Sequence, residues 1–148
     1  MVNKAPILIV TYSRFEHLQR TIGALADNQW AEASPLFVAV DGPYRDEDVA
    51  ANRKIVDFVR QIRGFKELNL FIREKNMGLQ ENFFAASNEI FSVYDRMIII
   101  EDDIVTSNDF LNFMNKCLDV YQDREDIFSV SGYSRPVKMP EGYCHAAY

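Results

Sequence analysis

Three adjacent carboxylates follow a short apolar run in the last third of the chain. Residues 97–100, Met-Ile-Ile-Ile, precede Glu101, Asp102 and Asp103, so the pattern predicts a buried strand that ends in an acidic triplet. Neighbouring carboxylates repel one another unless a cation or hydrogen-bond donors compensate. A divalent metal is the economical compensation, and oxygen ligands suit Mg²⁺ or Mn²⁺. The alternative is structural, with the aspartates ending the strand or favouring the positive end of the next helix.

Polar side chains also follow the first two apolar runs. Thr11, Tyr12 and Arg14 come after the first run, and Asp41 comes after the second. Asp-Gly-Pro is a common turn sequence, yet Asp41 is also placed where a nucleoside could donate a hydrogen bond to it. Arg14 could pair with a phosphate, or with Glu16 on an exposed helix start. Both interpretations stay open for each residue.

The third loop carries Asn76-Met77-Gly78 directly before a helical pattern. Such a loop could bring backbone N–H groups toward a ligand, although a single glycine there is also an ordinary loop residue. Several well-known motifs are absent from the sequence, namely the nucleophile elbow, the Walker lysine loop and a G-x-G-x-x-G after the first strand. Their absence excludes serine hydrolases of that type, P-loop enzymes and the usual dinucleotide-binding proteins.

Apolar runs alternate with helical patterns along the chain. Strands are predicted at residues 6–12, 36–40, 68–72, 97–100 and 127–131, and helices at 15–29, 46–62, 79–90 and, after a cap at Thr106 or Ser107, around 110–121. The first run is continuously apolar, as in a strand that is buried on both faces. Four strand-helix cycles predict an α/β fold of Rossmann-like, doubly wound type, with a mostly parallel sheet covered by helices on both faces. Ligands of such sheets bind at the carboxyl ends of the strands, here between the first and fourth.

The inward faces of the helices follow from three-to-four-residue spacing. They comprise Phe15, Leu18, Ile22 and Leu25; Val49, Val56, Val59 and Ile62; Leu79, Phe83, Ala86 and Ile90; and Phe110, Phe113, Met114, Cys117 and Tyr121. The two cysteines, Cys117 and Cys144, are far apart and are predicted to be reduced, with Cys117 buried.

Composition narrows the range of partners. The 148 residues include 22 acidic against 16 Lys and Arg, which gives a net charge of −6, and no basic stripe interrupts this balance. Nucleic acid and anionic membranes are therefore poor partners on electrostatic grounds, whereas an anionic nucleotide can bind through a divalent cation. No stretch is long enough to span a membrane and no signal peptide is recognised, so we expect a cytoplasmic protein, at most peripheral at the inner face of the membrane.

Four segments carry a resemblance to a known family. They are PILIVTYSR at the first strand, FVAVDGP at the second, NMGLQENF at the third loop and MIIIEDDIVTSNDFLNFM at the fourth strand. Together they resemble the GT-A glycosyltransferases, especially family 2 enzymes and the N-acetylglucosaminyltransferase I type, over residues 6–132. The most specific element is the apolar strand followed by Glu-Asp-Asp and then by Asp-Phe. The resemblance implies transfer of a sugar from a nucleotide-diphosphate-sugar to an acceptor hydroxyl.

The resemblance also implies roles for individual residues. It makes residues 101–103 the DxD-type motif, with Asp103 as the ligand of Mn²⁺ or Mg²⁺. It assigns the base pocket to Thr11, Tyr12 and Asp41, the base or diphosphate to Arg14, and the ribose and nucleotide to Glu101, Asp102, Asn76 and Gly78. One departure is at residues 86–88, Ala-Ser-Asn, where the family often carries an Arg-Asn pair.

The family's enzymes continue beyond the DxD region into an acceptor-binding half that carries the general base of inverting members. By this resemblance the chain is one nucleotide-sugar-binding domain, and residues 132–148 would begin the acceptor half. Glu141 is an available carboxylate there, with no further support as the base. UDP is the nucleotide that the resemblance favours, with dTDP and GDP as alternatives, and inversion at the anomeric carbon is implied.

Two other functions compete with sugar transfer. A catalytically incomplete GT-A module could bind a nucleotide or a partner protein without turnover. A nucleotidyltransferase would share the layout and the metal, but the glycine-rich basic loop expected after its first strand is not present in residues 10–14. Apolar positions near Val130 and Tyr133 also predict self-association if another part of the protein normally covers them.

Overall fold

Parallel strands alternate with helices along residues 4–133, the part of the chain that the computed structural model describes. The strands are β1 (Ile7–Thr11), β2 (Pro35–Val40), β3 (Glu67–Ile72) and β4 (Ile98–Glu101). The helices are α1 (Phe15–Ala26), α2 (Val49–Val59), α3 (Leu79–Phe91) and α4 (Phe110–Tyr121), with short 3₁₀ helices at Ala31–Ala33 and Asp46–Asp48.

The four strands form one parallel sheet in the order β3-β2-β1-β4. Ile9 of β1 pairs with Val38 of β2 on one side and with Ile100 of β4 on the other. The central strands β1 and β2 are buried on both faces, which explains why their sequences are continuously apolar rather than alternating. β1 and β4 are neighbours, as predicted, so their carboxyl ends meet at one edge of the sheet.

Helices cover both faces of the sheet, and this confirms the doubly wound α/β fold. On one face α1, α2 and α4 pack their apolar stripes against the sheet; their buried residues include Leu18, Ile22, Leu25, Ile55, Val59, Leu111 and Met114. On the other face α3 places Ala86 and Ile90 against Leu8, Phe37 and Ala39. α3 leaves β4 partly open on this side, since the Ile99 side chain is 52% exposed.

The prediction of a fifth strand at residues 127–131 is wrong. These residues form no strand and pair with none of the strands described. A turn precedes them, with the Ile127 N–H donating to the Arg124 carbonyl at 3.1 Å. The segment then runs against α4, where a Cβ on Gly132 would lie 2.5 Å from a ring carbon of Phe110. The β-branched composition alone does not make a strand without a free sheet edge beside it.

Several helix ends and faces differ from the prediction. α1 ends at Ala26, where the side chain of Asn28 takes over the hydrogen bonding. Its Nδ2 donates to the Ala24 carbonyl at 2.8 Å, and its Oδ1 accepts from the Leu111 N–H at 2.9 Å. Three residues predicted to face inward are exposed at element ends or on the outer side, namely Val49, Leu79 and Phe113.

Cys117 is a free, half-buried thiol, and burial raises its pKa. Residues 134–148, with Cys144 and Glu141, lie outside the described residues. Among residues 4–133, none of the helices combines the length and apolar character that crossing a bilayer requires.

Candidate functional site

A cleft of about 730 Å³ lies at the carboxyl edge of the sheet, where β1, β2 and β4 end. The polar residues predicted for the nucleotide-sugar all line it: Thr11, Tyr12, Arg14, Asp41, Asn76, Gly78, Glu101 and Asp102. Four apolar side chains complete the wall, namely Val10, Leu79, Phe83 and Ile99. The predicted metal ligand, Asp103, is not among the lining residues of this cleft, but it forms an ion pair with Arg14, which is. The cleft is therefore lined by both apolar and charged side chains.

Asp102 and Asp103 have different environments although they are adjacent. The Asp102 carboxylate is buried and accepts hydrogen bonds from the Thr11 hydroxyl at 2.7 Å and from Arg14. The Thr21 hydroxyl donates to the Asp102 carbonyl at 2.9 Å and fixes the backbone there. The Asp103 side chain is 33% exposed and accepts from Arg14 at 2.8 Å through Oδ2. Asp102 is thus built into the wall, and Asp103 is the carboxylate that solvent can reach.

Arg14 bridges this acidic pair. Its two terminal nitrogens donate to one oxygen of each aspartate. Partial burial acts to lower the pKa of Arg14, but the attraction of Asp102 and Asp103 outweighs it and leaves the pKa above its ordinary value. The guanidinium therefore stays charged and supplies part of the compensation that the acidic triplet requires.

Asp103 has one carboxylate oxygen that is open to a hard divalent cation. Arg14 occupies Oδ2, and Oδ1 accepts no hydrogen bond from any residue between 4 and 133. Within the same range, no three His, Cys, Asp or Glu side chains converge as a complete protein ligand set. Mg²⁺ and similar ions typically take one or two carboxylates and complete their shell with water and phosphate oxygens. The residues present therefore fit an ion that binds together with a phosphorylated ligand.

Asp41 is the centre of a second hydrogen-bond cluster. Its Oδ1 accepts from the backbone N–H groups of Gly42 at 2.9 Å and Met77 at 2.8 Å. Its Oδ2 accepts from the Gly78 N–H at 2.9 Å and from Asn76 Nδ2 at 3.1 Å. The carboxylate is buried and fastens the β3–α3 loop, residues 73–78, to the end of β2. The sequence suggested that N–H groups of this loop could contact a ligand. In the structure, the N–H groups of Met77 and Gly78 donate to the Asp41 carboxylate instead.

Tyr12, which lines the cleft, forms hydrogen bonds with two residues of the segment that follows β2. Its hydroxyl donates to Asp48 Oδ2 at 2.6 Å and accepts from the Tyr44 N–H at 2.9 Å. The hydrogen bond to Asp48 and, after it, burial raise the pKa of Tyr12. Asp48 was not among the predicted site residues, because only the three-dimensional contact with Tyr12 distinguishes it from the other acids of residues 46–48. The ring of Tyr12 is held in place as one wall of the cleft.

We expect the contribution of Tyr12 to stability to depend on alkaline pH. A phenol whose folded pKa is raised stabilises the fold fully below its unfolded pKa, near 10, and loses that contribution as pH rises through the folded pKa. Urea unfolding of wild type and Tyr12→Phe should therefore show a stability difference at about pH 8 that shrinks by about pH 10.5. A difference that is the same at both pH values would contradict this role of the hydroxyl.

We expect Arg14→Gln to lower the free energy of unfolding by about 1–2 kcal/mol, because the buried carboxylate of Asp102 loses its cationic partner. The value is below that of a fully buried pair, since the Arg14 side chain is 51% exposed and solvent screens it. Urea denaturation measures the loss. Arg124→Gln is the matched control, because it breaks an exposed ion pair with Asp126 and should change stability much less. Equal losses in the two variants would contradict the bridging role of Arg14.

Comparison with known proteins gives evidence on the fold of the chain. No protein-family model and no curated protein matches this sequence. Among solved structures, the chain is similar to TarS of S. aureus, a staphylococcal glycosyltransferase, with a TM-score of 0.56 and 16% sequence identity. The chain has a GT-A-type fold. The likeness covers 80% of this chain and 20% of the TarS chain, so this GT-A-type domain spans about a fifth of that structure's length.

Proposed function

We propose that the cleft binds a nucleoside-diphosphate-sugar with a divalent cation, and that the chain is the donor-binding part of a glycosyltransferase. The observation that carries the proposal is the convergence of Tyr12, Arg14 and Asp102 from two strand ends in one cleft, with the exposed carboxylate of Asp103 beside it. The GT-A-type fold supports it, because ligands of such sheets bind at this edge.

The charges of the cleft suggest how the ligand lies. Arg14 and a cation on Asp103 would hold the diphosphate, since both attract anionic oxygens. The nucleoside would then extend along the strand ends toward Tyr12 and Asn76. Parallel strands lie about 4.8 Å apart, so the ends of β4 and β2 are about 10 Å apart. This span suits a nucleoside joined to a diphosphate.

The reaction would be a displacement at the anomeric carbon of the donor sugar. The bond from that carbon to the diphosphate oxygen breaks, a bond to the acceptor oxygen forms, and a general base takes the acceptor's hydroxyl proton. A divalent cation, when bound, supplies charge neutralisation to the departing diphosphate. Within this chain, Arg14 would orient the diphosphate, and Thr11 and Arg14 hold the acidic wall in place. The base would belong to an acceptor-binding half.

The finer assignments extend the sequence resemblance. We propose UDP as the nucleotide, Mn²⁺ or Mg²⁺ as the cation, and a single displacement with inversion, as in enzymes of the N-acetylglucosaminyltransferase I type. The acceptor would be a sugar or glycoconjugate, in the synthesis of a surface polysaccharide at the cytoplasmic side of the membrane. The acidic net charge of −6 supports a cation between the protein and an anionic donor.

A nucleotide-binding module without turnover is the second candidate. The likeness to TarS covers about a fifth of that structure's length and shows a fold that both candidates share. The discriminating measurement is release of the nucleoside diphosphate from a donor sugar by this chain in the presence of candidate acceptors. Turnover would exclude a module that only binds the nucleotide.

Isothermal titration calorimetry tests the proposed function. The chain is titrated with UDP, GDP and dTDP, each with Mn²⁺ and with EDTA. We expect one nucleotide, UDP, to bind when the metal is present and to bind far more weakly in EDTA. Failure of every nucleotide to bind in the presence of Mn²⁺ would overturn the donor site.

A further inference from the structure

Arg14 is held by the two aspartates that follow β4 and by no other polar group of residues 4–133. Its Nη1 donates to Asp103 Oδ2 at 2.8 Å, and its Nη2 donates to Asp102 Oδ1. Within that range, the guanidinium forms no hydrogen bond with any other residue. The Arg14 side chain is half exposed. A partner that competes for these two carboxylates would therefore release the guanidinium without breaking any other hydrogen bond.

Asp102 has two further anchors that do not involve Arg14. The Thr11 hydroxyl donates to Asp102 Oδ2 at 2.7 Å, which leaves Oδ1 to Arg14. The buried Thr21 hydroxyl donates to the Asp102 carbonyl at 2.9 Å. These bonds fix both the side chain and the backbone at the end of β4. Departure of the guanidinium would thus free one oxygen on each aspartate while the acidic residues keep their place.

The guanidinium has the place of a counterion in the free protein. Three carboxylates, those of Asp41, Glu101 and Asp102, line the cleft, whereas Arg14 is the only Lys, Arg or His of residues 4–133 that does. Backbone and amide N–H groups already compensate Asp41. A divalent cation binds a carboxylate oxygen at about 2.0–2.6 Å, so an ion on Asp103 would lie within a few ångströms of Arg14 and be repelled by it.

We infer that Arg14 is a displaceable counterion that couples binding of the cation to binding of the nucleotide. In the free protein the guanidinium neutralises Asp102 and Asp103 and opposes a divalent cation there. The diphosphate of a nucleotide offers the guanidinium a second anionic partner, so Arg14 moves from the aspartates to the phosphates when cation and nucleotide bind together. The site thereby resists the cation alone. The inference rests on the proposed function, because it concerns regulation of the same cleft.

Binding of Mn²⁺ in the absence of nucleotide tests the displacement. The electron paramagnetic resonance signal of aqueous Mn²⁺ falls as a protein takes up the ion, so it gives the dissociation constant. We expect Arg14→Gln to bind Mn²⁺ at least about five-fold more tightly than wild type, because the competing charge is gone. Arg124→Gln is the matched control: it removes the same charge from an exposed ion pair with Asp126 and should keep the wild-type affinity.

Arg14→Lys separates displacement from a general effect of charge. Lysine keeps the positive charge, but one ammonium group does not reproduce the planar fork that reaches an oxygen of each aspartate. We expect this variant to bind Mn²⁺ with an affinity between those of wild type and Arg14→Gln. An affinity equal to that of wild type would overturn the inference, because the charge alone would then explain the effect. Arg14→Lys also carries the test if Arg14→Gln does not fold.

Calorimetry with UDP at saturating Mn²⁺ tests the transfer of Arg14 to the diphosphate. Arg14→Gln should bind UDP at least about ten-fold more weakly than wild type, because the phosphates lose a charged hydrogen-bond donor. Tighter binding of Mn²⁺ together with weaker binding of UDP supports the inference. A purely structural role of Arg14 predicts weaker binding of both, and that result or any other combination would overturn it while wild-type UDP binding upholds the proposed function. If wild type bound no nucleotide, both would fail.

Discussion

Asp103→Asn is expected to weaken binding of UDP in the presence of Mn²⁺ at least about a hundred-fold, while the folded state is retained. The Asp103 carboxylate is partly exposed, and one of its oxygens is free of partners among residues 4–133, so its neutralisation would remove the proposed metal ligand without opening the core. Charge stabilisation through a bound ion is worth several kcal/mol, and each 1.4 kcal/mol is a factor of ten in affinity. Calorimetry with UDP and Mn²⁺ measures the loss.

Asp57→Asn is the matched control for this variant. Asp57 is an exposed carboxylate on α2, and no residue between 4 and 133 donates a hydrogen bond to its side chain. This control removes the same charge from the protein and should leave affinity near that of wild type. If Asp103→Asn bound UDP as tightly as Asp57→Asn, another group would have to carry the metal.

Gly42→Ala is expected to lower the free energy of unfolding by about 3 kcal/mol, because an added Cβ has no space. The new atom would lie 2.4 Å from the carbonyl carbon of Lys75 and 2.7 Å from its nitrogen and oxygen. These are backbone atoms of the β3–α3 loop, so they can give way only if the loop moves. Movement of the loop would also stretch the hydrogen bonds from Met77 and Gly78 to Asp41, and UDP affinity should fall as well. Urea denaturation and calorimetry measure the two effects.

Gly23→Ala makes the same chemical change, but we expect it to raise the free energy of unfolding rather than lower it. Gly23 lies within α1, and a Cβ there meets no atom within 4 Å. Alanine in a helix is favoured over glycine by about 0.5–1 kcal/mol, so this variant should be slightly more stable than wild type. If both glycine variants had similar stability, the close approach of residue 42 to Lys75 would not be a constraint on the fold.

The sheet and its helices were predictable because their signals are local. Continuous apolar runs in β1 and β2 and helical spacing in α1 follow from burial on one or both faces. The segment at residues 127–131 has a similar β-branched composition, yet whether it pairs depends on a free edge nearby. Composition does not contain that information. Likewise, α1 ends where Asn28 meets Leu111 of α4, a contact between residues 83 positions apart.

The position of the cleft was also predictable, but the different environments of the residues within it were not. Strand order places the polar residues after β1, β2 and β4 at one edge, and the sequence shows those residues directly. It does not show that Asp102 is buried under Thr11 while Asp103 remains accessible, because both follow the same strand. Nor does it show that the Asp41 carboxylate accepts hydrogen bonds from residues 76–78, which lie more than 30 positions later in the chain.

A crystal structure of the chain with UDP and Mn²⁺ would show whether the cleft is the donor site. We expect Mn²⁺ within about 2.2 Å of an Asp103 carboxylate oxygen, the diphosphate beside Arg14, and the base between Tyr12 and Asn76. A nucleotide bound away from the carboxyl edge of the sheet, or a metal held without Asp103, would contradict it.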